Sequence, residues 1–239
     1  MKSWWDEEAT FIHPFDLHHI VYISILLITL VLLLTNRTYV KENAQKIAKV
    51  ILTISIMQQI LLYSWYVFET GFHVSESLPL HISRISSLLG IYFLITKNMK
   101  VLDVLFYFGL FAYGSFLYPQ RIYPIYHVIG ISYVINHTIT ILLPIFGYIA
   151  YRWRPTFKSA FRAYVLFVVY FFFVYFLNPL IDGNYFYLKY RPFFNHWPDY
   201  LHIPGVLIVT FVGFLIAYYF VKFLHKVTKD VQNQRNESA

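Results

Sequence analysis

The run Ile20-Val-Tyr-Ile-Ser-Ile-Leu-Leu-Ile-Thr-Leu-Val-Leu-Leu-Leu34 decides the fold class, because no Asp, Glu, Lys or Arg interrupts the chain between Asp16 and Arg37. A helix of about twenty such residues spans the ~30 Å hydrocarbon core of a bilayer. Equally bare stretches lie between Arg162 and Asp182 and between Asp199 and Lys222. The composition of the 239-residue chain agrees, with 58% hydrophobic, 21% aromatic and only 13% charged residues. A soluble domain carries roughly a quarter charged residues, and intrinsic disorder needs few apolar residues and high charge. The chain reads as an all-α, polytopic membrane protein.

Working outward, seven apolar stretches of spanning length appear: 18–34, 47–68, 78–96, 101–118, 126–151, 163–181 and 203–224. The third carries His81 and Arg84 near its start and forms a tight hairpin with the fourth across Lys97–Lys100. The fifth keeps its length despite Asn136, His137 and Pro144. Together they make one transmembrane domain over residues 1–227, followed by an unstructured polar tail, 228–239. The start, Met1-Lys-Ser-Trp-Trp-Asp-Glu-Glu8, is acidic where a cleavable signal is basic, so the first span is expected to stay as a permanent helix.

Alternate loops differ sharply in charge. Fourteen of the 19 Lys and Arg fall on one side, in Arg37–Lys49, Lys97–Lys100, Arg152–Arg162 and the tail, and four fall on the other, Lys2, Arg121, Lys189 and Arg191. The excess marks the cytoplasmic face, so the amino terminus is expected outside and the carboxyl terminus inside. The expected setting is the plasma membrane, for a bacterial chain the cytoplasmic membrane. The net charge of +7 thereby serves topology and anionic lipids, and nucleic acid is excluded as a partner. The loop Asp182–His202 brings eight aromatic rings and two prolines to the outer surface, either as a partly re-entrant lid or as an aromatic belt.

With no cysteine, thiolate metal sites and thiol nucleophiles are impossible. No His-x-x-x-His or His-Glu-x-x-His run exists, and no metal or cofactor is expected. Of ten histidines, only His225 falls on the cytoplasmic side, and His137 lies near mid-membrane. At helical spacing, Tyr133, Asn136, His137, Thr140 and Pro144 share one stripe, and Ser55, Gln58, Leu62, Trp65 and Glu69 share another. The third span adds His81, Ser83, Arg84 and Ser87. These faces predict an outward-facing polar cavity among spans two, three and five, with Glu69, His81, Ser83, Arg84, Asn136 and His137 as its members and His127 at similar depth. A cation inside a span must face protein or water. Arg84 either clamps a phosphate or carboxylate through its planar fork or pairs with Glu69 as glue between helices.

The stretch Leu78-Pro-Leu-His-Ile-Ser-Arg-Ile-Ser-Ser-Leu-Leu89 resembles the signature of the bacterial YwaF-like integral membrane family, which is related to vertebrate transmembrane protein 164. Asn136-His-Thr138 ahead of Pro144, Asn178-Pro179, Gly183-Asn-Tyr-Phe-Tyr-Leu188 and Arg191-Pro192 resemble it in the same order. The resemblance implies a seven-helix membrane protein and, through the vertebrate relative, phospholipid acyl transfer by a cysteine nucleophile. Ser83 stands where many bacterial relatives have a cysteine. The expected function is then an outer-leaflet lipid acyltransferase or hydrolase. Ser83 is its nucleophile, His137 or His81 the base, Asn136 the oxyanion donor, and Arg84, Glu69 and His127 the substrate contacts. The alternatives are a non-enzymatic protein binding or carrying a lipid or anionic solute, and a structural envelope protein.

Overall fold

The computed structural model describes residues 4–237, and every regular element among them is helical. Helix α1 (Leu17–Thr35) starts at Asp16, whose carboxylate accepts from the His19 N–H at 2.8 Å. Short α2 (Arg37–Glu42) reverses the chain into α3 (Ala44–Phe68). One turn, α4 (Val74–Ser77), precedes α5 (Ile82–Thr96), which pairs with α6 (Met99–Phe108) and its continuation α7 (Leu110–Leu117). Then follow α8 (Val128–Tyr151), α9 (Phe157–Ile181), a 3-10 turn (Tyr185–Tyr187) and α10 (Asp199–Glu237).

Among the described residues, six helical stretches are long and apolar enough to cross a membrane: α1, α3, Met99–Leu117, α8, α9 and Asp199–Thr228 of α10. The third expected span departs from its boundaries. It is helical only from Ile82, and its 15 residues reach about 22 Å, short of the ~30 Å hydrocarbon core. Pro79 explains the loss, since the residue before a proline is pushed into extended backbone, as Leu78 is (φ −63°, ψ 151°). The tail is corrected too. With no Gly or Pro after Gly213 to stop it, α10 continues helical through Glu237, and only Ser238 and Ala239 of the expected tail lie outside the described residues.

Helix α8 is the axis, packed by α1, α2, α3, α5, α6 and α7. It stays helical through Pro144, although that residue has no N–H to donate. Its start is wedged tightly: a Cβ on Gly130 would lie 2.0 Å from the Pro124 carbonyl oxygen and 2.5 Å from Tyr22 Oη. Large apolar side chains of α1 (Leu27, Ile28, Val31), α9 (Val169, Phe173, Leu180) and α10 (Ile208, Val209, Ile216) stay exposed. Such a girdle is what lipid contact requires.

The two ends of the bundle differ in chemistry. The aromatic end holds the 4–16 segment, the 118–127 connection and the 182–198 loop. At the basic end, Asp103 of α6 accepts from Trp153 Nε1 at 3.0 Å and pairs with Arg162 of α9. That staple uses up the one acidic side chain of α6.

Candidate functional site

The backbone that α5 lost is not left bare. Unpaired peptide groups within a bilayer cost several kcal/mol each, and here side chains answer them. Tyr185 Oη accepts from the Leu78 N–H at 3.0 Å and donates to the Val74 carbonyl at 2.6 Å. Tyr170 Oη donates to the Leu80 carbonyl at 2.8 Å. Arg84 Nη1 donates to the Glu76 and Leu78 carbonyls at 2.5 and 2.9 Å. Its Nη2 donates to Tyr66 Oη, and the guanidinium carbon lies 4.7 Å from the Tyr66 ring centroid. Glu69 is not its partner, contrary to the glue reading, and among the described residues no carboxylate pairs with Arg84. The cation is held by dipoles and a ring face, and its charge is left to be met.

The three polar faces do meet, since α3, α5 and α8 pack on one another. Asn136 Nδ2 donates to the Ser83 carbonyl at 3.3 Å, and its Oδ1 accepts from Thr140 Oγ1 at 3.3 Å. One turn further in, Gln59 Nε2 donates to Gln58 Oε1 and to Ser87 Oγ, and Gln58 Nε2 donates to Ser132 Oγ at 2.6 Å. Asn136 thus braces the Ser83 turn, and both ends of its amide are engaged there. His137 donates from Nδ1 to the Tyr133 carbonyl at 2.9 Å, which fixes the tautomer and leaves Nε2 as the lone pair. Its ring lies 4.1 Å from that of Tyr133 and 6.0 Å from that of Phe116. Among the described residues no hydrogen bond joins Ser83 Oγ to an imidazole.

The other sequence candidates go elsewhere. His81 is the N-cap of α5, and its ring turns to Tyr185 and Tyr187, 5.0 and 5.8 Å away. Glu69 is exposed at the end of α3 and accepts from the Glu7 N–H at 3.4 Å. Buried His127 accepts from the Ile129 N–H at Nδ1, so Nε2 carries the proton and donates to the Asp6 carbonyl at 3.0 Å. Its ring stacks on Tyr123 at 4.2 Å, and Tyr123 donates to the Glu7 carbonyl. Trp65 Nε1 donates to the Trp5 carbonyl at 2.7 Å. Glu69 and His127 therefore fasten the amino-terminal segment over α3 and α8. Burial pushes the Tyr123 phenol up to about 12, so it stays a donor.

The concavity at this end is also displaced from the expected place. A hollow of about 620 Å³ is lined by Gln120, Arg121, Asn184, Tyr187, Arg191 and their neighbours, and none of the seven candidates lines it. The loop turns into the bundle at one point: Tyr185 is fully buried, and Phe186 packs on Phe111, Phe167 and Phe171. Phe186 and Tyr187 both hold left-handed backbone (φ 57° and 54°), at roughly 1–2 kcal/mol each for bulky residues. Asn178 and Asn184 hold them there, the latter accepting from the Lys189 and Tyr190 N–H groups. Sequence reasoning missed Tyr66, Tyr170 and the Asn178–Tyr185 clasp. Only Asn178-Pro179 ahead of Gly183 signalled the last. Among the described residues no three His, Asp or Glu side chains gather where a metal ion could be held.

The TMEM164 family model matches residues 14–223. The chain belongs to the TMEM164 family, and with its long apolar helices it is a multi-pass membrane protein. No curated protein matches it, and no solved structure does.

Proposed function

We propose that this TMEM164-family protein crosses the membrane seven times, with α5 as its short third span, and works on phospholipids at the outer leaflet of the plasma membrane. The charge asymmetry between the two ends supports that orientation. The bonded Leu78–His81 segment supports α5 as a span, because non-helical backbone is tolerated at membrane depth only where protein satisfies it.

The reading within it is acyl transfer or ester hydrolysis, and one observation carries it. Arg84 stands next to Ser83 at the head of α5 with no carboxylate partner among the described residues, while Asn136 braces that turn one residue from His137. A phosphate diester fits the guanidinium. Ser83 Oγ then attacks the acyl carbonyl, forming a new ester, while His137 Nε2 takes the hydroxyl proton. The proton passes to the departing lysolipid oxygen as the old ester bond breaks. A lipid hydroxyl or water reverses the sequence and releases the acyl group. Asn136 serves as a positioning residue in this scheme.

A second reading rests on a separate observation, that among the described residues no hydrogen bond joins Ser83 Oγ to an imidazole. In it the same Arg84 site binds or carries a lipid or anionic solute without chemistry. Purified protein in vesicles containing a fluorescent-acyl phospholipid separates the two. For the enzyme, labelled fatty acid or acyl-exchanged lipid accumulates, and Ser83→Ala lowers the rate about a thousandfold or more. His137→Gln lowers it by roughly a hundredfold or more, and Arg84→Lys weakens substrate binding about tenfold. Undiminished turnover by Ser83→Ala removes Ser83 as nucleophile. Lipid retention that depends on Arg84 with no turnover establishes the carrier.

A further inference from the structure

At the basic end, Arg37, Lys41, Arg152 and Arg154 converge with Thr38, Glu42, Tyr148 and Ile149 on a hollow of about 670 Å³. Four cations face one carboxylate, and none of the four takes part in an ion pair among the described residues. Three cations elsewhere do find carboxylates, Arg162 at Asp103, Lys189 at Asp182 and Arg191 at Asp199. Arg154 instead contacts His225 Nε2 of α10 and lies over the Tyr148 ring at 5.7 Å. Arg152 is the left-handed C-cap of α8, so α8 itself carries that charge to the hollow.

We propose that this hollow is a binding site for the phosphate headgroup of an anionic phospholipid. Two adjoining features favour a lipid over a soluble anion. Tyr148 and Ile149 belong to a membrane-spanning helix and give the hollow an apolar wall. The last turns of α1 beside it expose Val31, Leu32 and Leu34, a flank along which acyl chains can lie. Arginine forks bind phosphate oxygens in pairs, and basic pockets between spans at the headgroup level select anionic lipids. This site lies at the opposite end from Ser83 and stands whether or not that end does chemistry.

The test uses the whole protein in lipid nanodiscs, of phosphatidylcholine alone or with a minority of phosphatidylglycerol, and counts retained lipid by native mass spectrometry. The protein is expected to retain phosphatidylglycerol over phosphatidylcholine. Arg37→Gln with Arg152→Gln weakens that retention about thirtyfold, each lost cation contributing about fivefold. Both side chains are exposed, so the fold is expected to survive. Should it not, Lys41→Gln and a salt titration of the unmodified protein replace the pair, and retention that ignores both overturns the proposal. So does equal retention of the two lipids, or a loss of the same size in Arg121→Gln at the opposite end. Inorganic phosphate that displaces the lipid completely and stabilises the lipid-free protein to the same degree makes this a soluble-anion site and overturns the lipid assignment.

Discussion

Asn178 pairs with both backbone groups of Tyr185, its Nδ2 donating to the carbonyl at 2.9 Å and its Oδ1 accepting from the N–H at 3.0 Å. Tyr185 in turn reaches back to Val74 and Leu78, so one amide on α9 fixes the non-helical approach to Arg84. Asn178→Ala leaves two buried backbone groups unpaired, each worth roughly 1–3 kcal/mol. Asn178→Asp keeps the acceptor but sets a buried carboxylate oxygen against the Tyr185 carbonyl. Thermal unfolding in detergent is expected to place both variants below the native protein. An Ala variant as stable as the native protein would show that the clasp is not what holds the loop. Arg84, at the end of that approach, shows what a sequence does and does not disclose. Arg84 was legible as a cation that must find protein, but its partner Tyr66 lies on another helix and follows no spacing rule. His127 looked like a substrate contact because depth was all that could be inferred; its bond to the Asp6 carbonyl exists only once the amino-terminal segment folds back.

Helices were the most legible level, because charge-free length and 3.6-residue periodicity act locally. That logic set the ends of α1, α3 and α8 to within three residues, missed the start of α9 by six and both ends of the membrane part of α10 by four, and gathered polar residues of α3, α5 and α8 into an expected cavity. It failed where backbone geometry competed with hydrophobicity. Leu78–Leu80 is apolar enough to read as helix, yet Pro79 keeps Leu78 extended and the chain turns at 79–80. Close approach was invisible in the same way. Gly130 scans as a routine glycine, although a Cβ there would collide with the Pro124 backbone and Tyr22. Tyr22 donates to the Tyr123 carbonyl at 2.7 Å, so the collision would also strain the connection that carries His127. Gly130→Ala is therefore expected to lower stability by about 1–3 kcal/mol. Gly213→Ala, where nothing lies within 4 Å of the added atom, is expected to be neutral or to gain up to ~1 kcal/mol from helix propensity. Melting curves that fall equally for both would refute the wedge.

For the whole molecule, orientation follows from the distribution of charge, and the two proposed sites depend on it differently. The hollow lined by Arg37, Lys41, Arg152 and Arg154 marks the cytoplasmic face if the basic excess is read by the usual rule. Ser83 and Arg84 then open toward the outer leaflet, where a lipid can enter only from that side. Parity links the two, since seven crossings put the amino-terminal segment and the α10 tail on opposite sides, whereas six would put them together. A chain without cysteine makes this directly measurable. Asn195→Cys, in the 182–198 loop, should react with a membrane-impermeant maleimide in intact cells. Thr38→Cys, in the basic hollow, should react only after permeabilisation, as should a cysteine substituted for Thr228 in α10, while Trp4→Cys should follow Asn195→Cys. If Trp4→Cys and Thr228→Cys label from the same side, α5 does not cross; the head of α5 then stays on the side of Trp4, but Arg152 and Arg154 fall on the opposite side from Arg37 and Lys41. The headgroup site at the basic end would then be split across the bilayer, while Ser83 and Arg84 would keep the leaflet that Trp4 marks.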